Sequence, residues 1–181
     1  DEGFHEEDGV ALGHRRLSIL DTSELGHQPM KSDAGRYWLT FNGEIYNYLE
    51  LKKELGSKPY KSGSDTEVLI RAYETWGVDA IKKCNGIFSF AIWDTKTKTL
   101  FAARDHVGVK PFHYAVKDDL FYFASEIKAI LAGGFKAMPN DGIIYEYLAH
   151  GVYDHTAETF FDGVYSLPPG HYLEIKDGKI S

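Results

Sequence analysis

The sequence holds a single cysteine, Cys84, in 181 residues, which excludes an internal disulfide framework and a cysteine-rich metal site. That scarcity fits a reducing compartment, and cytoplasm is the expected location. Cations are also in deficit. Twenty Lys and Arg stand against 27 Asp and Glu, a net charge of -7, whereas a phosphate-backbone binder needs clustered positive charge, so nucleic acid is not an expected partner. No stretch approaches the roughly 18 uninterrupted apolar residues of a membrane helix. Residues 1–8, rich in Asp and Glu, lack the basic start and apolar centre of a signal peptide, so no membrane partner is expected. Repeats, low-complexity tracts and an obvious internal linker are missing. Neither GxGxxG nor GxxxxGK[ST] occurs, and the eight histidines form no HExxH, so neither a phosphate loop nor a metal site is expected. What is present, 43% hydrophobic and 26% charged residues, suffices for one packed core of ordinary domain size.

Periodicity outlines the elements. Residues 10–20 form a β-like run interrupted by His14-Arg15-Arg16, and residues 36–41 form a second strand ending at Asn42-Gly43. Asn47 with Glu50 resembles a capping box opening a helix through Leu55. Ser64 with Glu67 makes a better one, and Val68, Leu69, Ala72, Tyr73 and Trp76 then run down one helical face to a stop at Gly77. From Gly86 the pattern reads as an antiparallel meander: 87–93, a turn over 94–99, 100–104, 112–116, a turn at Asp118-Asp119, and 120–124. Ser125 can cap a short helix through Leu131, Asp141 can start another through Leu148, and residues 159–180 look like two edge strands around Leu167-Pro168-Pro169-Gly170. Strands and helices grouped in blocks, without βαβ alternation, predict an α+β layered fold.

Four positions carry chemical interest. Asn42-Gly43 is first of all the leading signal for a tight hairpin, yet the residues that follow lead into a helical pattern. An Asn beside a glycine at a strand end also places a side-chain amide near an unobstructed backbone N–H, two donors that can cradle an oxyanion. Arg16 reads either as a solvated strand cation or as a bidentate clamp for a carboxylate. Asp65, just inside the Ser64 cap, suits the helix dipole and could equally anchor an ammonium group. Cys84 has no nearby histidine and reads as packing material. Asp105-His106 reads as a turn, and the aromatic run 121–123 as sheet core.

Taken in order, GHRRLSILD (13–21), FNGEIYNY (41–48), SGSDTEV (62–68), ARDHVGVKPFHY (103–114) and FASEIKAIL (123–131) strongly resemble the glutaminase domain of asparagine synthetase B-like class II glutamine amidotransferases. SLPPGHYLEI (166–175) resembles the end of that domain in the longer bacterial members. The resemblance implies the N-terminal nucleophile hydrolase fold, a four-layer sandwich of two antiparallel sheets between helical layers. It implies L-glutamine as ligand, with Arg16 on the α-carboxylate, backbone from Leu17, Ser18, Ile19 and Leu20 beside it, Glu44 and Asp65 lining the pocket with Asp65 toward the α-ammonium, and Asn42 and Gly43 as the oxyanion hole. It further implies a synthetase domain of the same protein as partner, with ATP and Mg bound there and no cofactor in this domain; a homodimer is compatible with it.

Arg104, Asp105, Ser125 and Glu126 read as sheet-end and domain-interface structure. The family begins Cys-Gly-Ile, whereas this sequence begins at Asp1 in a region resembling a stretch further in, and the SGGLDS nucleotide motif does not occur. The expectation is therefore an N-terminally incomplete domain over 1–181 that retains the glutamine pocket without the nucleophile, and is inactive by itself. The competing reading is a noncatalytic glutamine-binding regulatory module; a carbohydrate-binding β-rich domain, suggested by 14% aromatic content, would need exposed aromatics.

Overall fold

The computed structural model describes all residues except 18, 57, 177, 178 and 181. The chain opens with a hairpin of β1 (Glu2–Glu7) and β2 (Val10–Arg15), then forms β3 (Met30–Lys31) and β4 (Tyr37–Ile45). Helices α1 (Tyr48–Glu54), α2 (Asp65–Trp76) and α3 (Ala80–Lys83) follow. Next come β5 (Gly86–Asp94), β6 (Thr99–Arg104), β7 (His113–Lys117) and β8 (Leu120–Ala124), then α4 (Ile127–Ala132) and α5 (Asp141–His150). The described chain closes with β9 (Val164–Ser166), β10 (Tyr172–Lys176) and β11 (Lys179–Ile180). None of the described helices is long and apolar enough to cross a membrane.

Besides the two-stranded β1-β2 hairpin, the described residues form two antiparallel sheets, one ordered β11-β10-β6-β5-β4-β3 and one ordered β8-β7-β9. Because side chains alternate along a strand, the large sheet has two apolar faces. Leu39, Phe41, Ile45, Phe88, Phe90 and Phe101 pack with Leu51, Val68, Leu69 and Ile70 of the helices on one side. Ala91, Trp93, Leu100 and Leu173 face the other way, against Phe112 and the partly buried Tyr114, Phe121 and Phe123 of the small sheet. On the far side of that sheet, Ala115 and Val164 receive Ile130 of α4. The order helix, sheet, sheet, helix is the four-layer arrangement expected from the resemblance.

Several local expectations are corrected. The β-like run through Leu20 stops at Arg15, so Arg16 lies in a loop and not in a strand. Asn42-Gly43 is no turn: β4 continues through it, with Asn42 opposite Ser89 and Gly43 opposite Phe88. Partnership with the nine-residue β5 overrides the local turn preference, and Gly43 is required by close approach. Its φ is +153°, and a Cβ there would collide with the Ile87 carbonyl oxygen and lie 2.6 Å from Phe88 Cα. Asn47 precedes α1 but does not cap it with its side chain, which instead donates to Lys83 O and accepts from Asn85 N–H, both at 2.9 Å. Ser64 does cap α2 by accepting from Thr66 N–H, whereas Glu67 binds the 61–62 backbone and Arg71 and does not close the box. β10 is interior, flanked by β6 and β11.

The meander is split between the sheets because Asp105 ends β6. Fully buried, its carboxylate accepts N–H groups from Phe88, Val107, Val109 and Lys110, and its own N–H donates to Phe88 O at 2.7 Å. Burial alone would raise its pKa; these donors hold it below the usual aspartate value. Arg104 does not pair with it. Its guanidinium donates to the carbonyls of Lys110, Gly108 and Leu167, fastening the crossing loop to the end of β9. Backbone groups, with the Ser166 hydroxyl at 3.1 Å from Arg104, therefore satisfy both charges at this sheet end.

Two stability outcomes follow from this frame. Gly43→Ala must push β4 from β5 and is expected to cost about 2–4 kcal/mol in urea unfolding, well beyond an ordinary surface substitution. Asp94, at the end of β5, accepts two bonds from Arg36 at 2.9 and 2.5 Å and one from Lys96 N–H at 2.9 Å. Burial would raise its pKa, but these donors bring it from 3.8 to about 2. A depressed carboxylate stabilises the fold above its unfolded pKa and loses that contribution as pH falls toward its folded one. Acid unfolding should thus show a loss of about 2 kcal/mol between roughly pH 4 and pH 2, absent in Asp94→Asn.

Candidate active site

A cavity of about 700 Å³ opens where the far half of β4 meets residues 16, 17, 19 and 20, the start of α2 and the β8–α4 junction. Arg16, Leu17, Ile19, Leu20, Asn42, Gly43, Glu44 and Asp65 all border it; Ser18 lies outside the described residues. Long-range pairing thus brings together residues nominated from three separate motifs.

The edge of β4 gives the cavity its polarity. Phe88 directs its N–H and C=O toward Asp105, so opposite it Gly43 sits in a non-hydrogen-bonded pair and its N–H points off the free edge of β4. β3 covers that edge only at Leu39 and Trp38. Beyond it, Phe41 N–H is taken by Gln28 Oε1 at 2.7 Å and Ile45 N–H by Asp65 Oδ2 at 2.9 Å. Between these two capped positions no side chain among the described residues reaches the Gly43 N–H, which faces the cavity. Asn42 projects from the adjoining sheet face, its Nδ2 donating to Ser125 Oγ at 3.2 Å. One backbone and one side-chain donor therefore stand next to each other at the cavity wall.

Arg16 reaches the cavity from its loop with its side chain only 7% exposed. Its guanidinium donates to the carbonyls of Asp21 and Ser23 and lies 3.9 Å from Asp1 Oδ2. Gly26 is needed beside it, since a Cβ there would meet the guanidinium. Asp21 braces the same loop, accepting from Ser23 N–H at 2.9 Å and from Gly63 N–H at 2.7 Å, which ties the arginine loop to the lead-in of α2. Leu17 and Ile19 are 85% and 70% exposed, so their side chains lie largely in solvent.

Opposite in sign, Asp65 is buried at the first turn of α2. Burial pushes its carboxyl up from the ordinary value, against bonds from Ile45, Thr66 and Ser64 that pull it down, and the nearby Glu44 charge adds to the upward shift. A carboxylate held in that state gains when a cation arrives. His14, also on the wall, is neutral at pH 7, pushed down to about 4 by burial and by Arg16 and His27.

Cys84 is remote from all this. It packs in the helical core, donates to Ala80 O at 3.3 Å, and has its thiol pushed up to about 12 by burial, so the packing reading holds. Sequence reasoning missed Gln28, Asp21 and the direct role of Ser125. Gln28 carries no local signal; Asp21 ends the RLSILD string, and Ser125 looked like a helix cap.

A family model described as "Glutamine amidotransferase domain" matches residues 1–181. The chain is 41% identical over 186 residues to "Asparagine synthetase [glutamine-hydrolyzing] 3" of Bacillus subtilis strain 168, covering 98% of this chain and 30% of that protein. It is 44% identical over 183 residues to "Asparagine synthetase [glutamine-hydrolyzing] 1" of the same organism, covering 99% and 29%. The chain thus spans about 30% of the length of these relatives. Among solved structures, glutamine phosphoribosylpyrophosphate amidotransferase from B. subtilis, complexed with ADP and GMP, superposes with a TM-score of 0.68 at 22% identity, over 94% of this chain and 34% of that one. At that identity the likeness shows the fold, the N-terminal nucleophile hydrolase type. A match over all 181 residues, with curated relatives above 40% identity, places this chain in the glutamine amidotransferase domain family.

Proposed function

We propose that this chain binds L-glutamine in the cavity and presents its side-chain amide for hydrolysis, the ammonia passing to an ATP- and Mg-dependent synthetase domain of the same protein. We place the reaction in the cytoplasm, where a catalytic thiol stays reduced. The observation that carries the reading is the Gly43 N–H, left open among the described residues between the capped Phe41 and Ile45 N–H groups and beside the Asn42 amide. Two donors at such a wall suit the oxygen of a tetrahedral intermediate, whose negative charge develops only during reaction.

The remaining charges suit the amino-acid end of the substrate. Arg16 takes the α-carboxylate, its guanidinium already oriented by the Asp21 and Ser23 carbonyls, with the backbone of Leu17, Ile19 and Leu20 alongside. Asp65, with Glu44 beside it, takes the α-ammonium and recovers the charge that burial disfavours. The attack requires a thiolate near the two donors. Thiolate sulfur adds to the amide carbon and the carbonyl electrons move onto oxygen at Asn42 and Gly43; as they return the C–N bond breaks, the nitrogen takes up the proton released from the thiol and leaves as ammonia, and water then cleaves the thioester to glutamate and the free thiol. A cysteine bearing a free α-amino group, with a reference pKa of roughly 7.7–8.0, would combine nucleophile and base in one residue. Cys84 cannot serve: it is buried, protonated and not among the residues that line the cavity.

Three outcomes test the reading. Arg16→Ala should weaken glutamine or glutamate binding about tenfold or more in calorimetry, the loss of a charge-assisted bidentate contact; unchanged affinity would remove Arg16 from the site. In the chain extended upstream to a processed Cys-Gly-Ile terminus, Asn42→Ala should lower kcat roughly 100- to 1000-fold with little change in KM. A polypeptide of these 181 residues alone should release no ammonia from glutamine. Turnover that survives Cys84→Ser would overturn the mechanism, and an extended form that binds glutamine without turning it over would favour a regulatory module.

A further inference from the structure

Ser125 stands between β8 and α4, at a position the sequence pattern reserves for a helix cap. Its hydroxyl does not serve that purpose: the N-cap position is Glu126, which makes no side-chain cap bond. The Ser125 Oγ instead accepts from Asn42 Nδ2 at 3.2 Å, joining residues 83 apart in sequence and bridging the two sheet layers at the cavity wall. Thr40, Ser64, Thr66 and Ser89 also carry hydroxyls on this cavity, and among the described residues none of them bonds to Asn42.

We propose that Ser125 is a positioning residue for the Asn42 oxyanion donor. The inference rests on reading the cavity as a glutamine-hydrolysing site. An asparagine amide turns broadly about its terminal torsion, so an unrestrained Asn42 would sweep its N–H groups through a range of directions. Ser125 holds one of the two N–H groups, which sets the amide plane and aims the other toward the point faced by the Gly43 N–H. Gly43 is fixed by the β4–β5 pairing behind it, and Asn42 by a hydroxyl from the opposite layer. The oxyanion hole is therefore complete only when the small sheet and α4 are docked on the large sheet. Donors oriented before reaction stabilise charge without reorganising, and loss of that orientation appears in turnover and not in ground-state binding.

The test pairs kinetics with a direct view of the amide. In the extended, Cys-first chain, Ser125→Ala should lower kcat about tenfold with KM nearly unchanged, and Ser125→Thr, which keeps the oxygen, should restore most of it. In the Asn42→Ala background the Ser125→Ala change should have no further effect on kcat, since the donor it orients is gone. In the 181-residue chain, nitrogen relaxation of the Asn42 side-chain amide should report an ordered group in the parent and in Ser125→Thr, and a mobile one in Ser125→Ala. Impairment by Asn42→Ala but not by Ser125→Ala overturns this proposal alone. Full turnover in Asn42→Ala removes the oxyanion reading and the proposal with it. An amide equally ordered with and without the Ser125 hydroxyl overturns the proposal whatever the turnover.

Discussion

Along the edge of β4 that faces away from β5, three successive outward N–H groups, those of Phe41, Gly43 and Ile45, would be left bare once β3 has ended. A protein must satisfy such donors or put them to use. Gln28 covers the first and Asp65 the third, both from elements distant in sequence. The one left open among the described residues belongs to the glycine, where the backbone can be approached most closely, and the cavity, Asp65 and the arginine loop all lie along that edge.

Several charges in this molecule are held by backbone groups, beside the side-chain pairs Glu67–Arg71 and Arg36–Asp94. Asp105 collects four N–H groups at the end of β6, and Arg104 collects three carbonyls of the crossing loop and β9 end. Arg16 is gripped by loop carbonyls and Asp21 by the N–H groups of Ser23 and Gly63. Such bonds fix loops more rigidly than exposed ion pairs, which exchange readily with water. They also leave Arg16 with its positive charge, and the opposing Asp65 with its negative one, uncancelled by each other across the cavity. That separation suits a zwitterionic ligand.

Much of this was legible in the residues. The 3.6-residue spacing from Val68 to Trp76 gave α2 its place, and alternation identified β5, β6, β7 and β8. Helix and strand periods depend on which residues a neighbouring layer buries, so they survive in the sequence wherever one face meets a core. Asn42-Gly43 misled locally because a hairpin preference worth little free energy yields to pairing with a nine-residue strand. Asn47 and Ser125 misled for a related reason. Each is a good cap by type, and each hydrogen-bonds instead to a partner that sequence order puts far away.

The sequence by itself determined the residue types of the site, an arginine, an acid and an Asn-Gly pair, together with the layered α+β architecture, because composition and periodicity are properties of the chain. Only the tertiary structure decided which N–H of β4 stays open, that Asp21 links the arginine loop to α2, that Cys84 lies buried in the helical core, and that Ser125 reaches Asn42. Those outcomes depend on strand register and on contacts between layers. A one-residue change of register would turn the Gly43 N–H into the sheet and move Asn42 to the opposite face, while leaving every local pattern in the sequence unchanged.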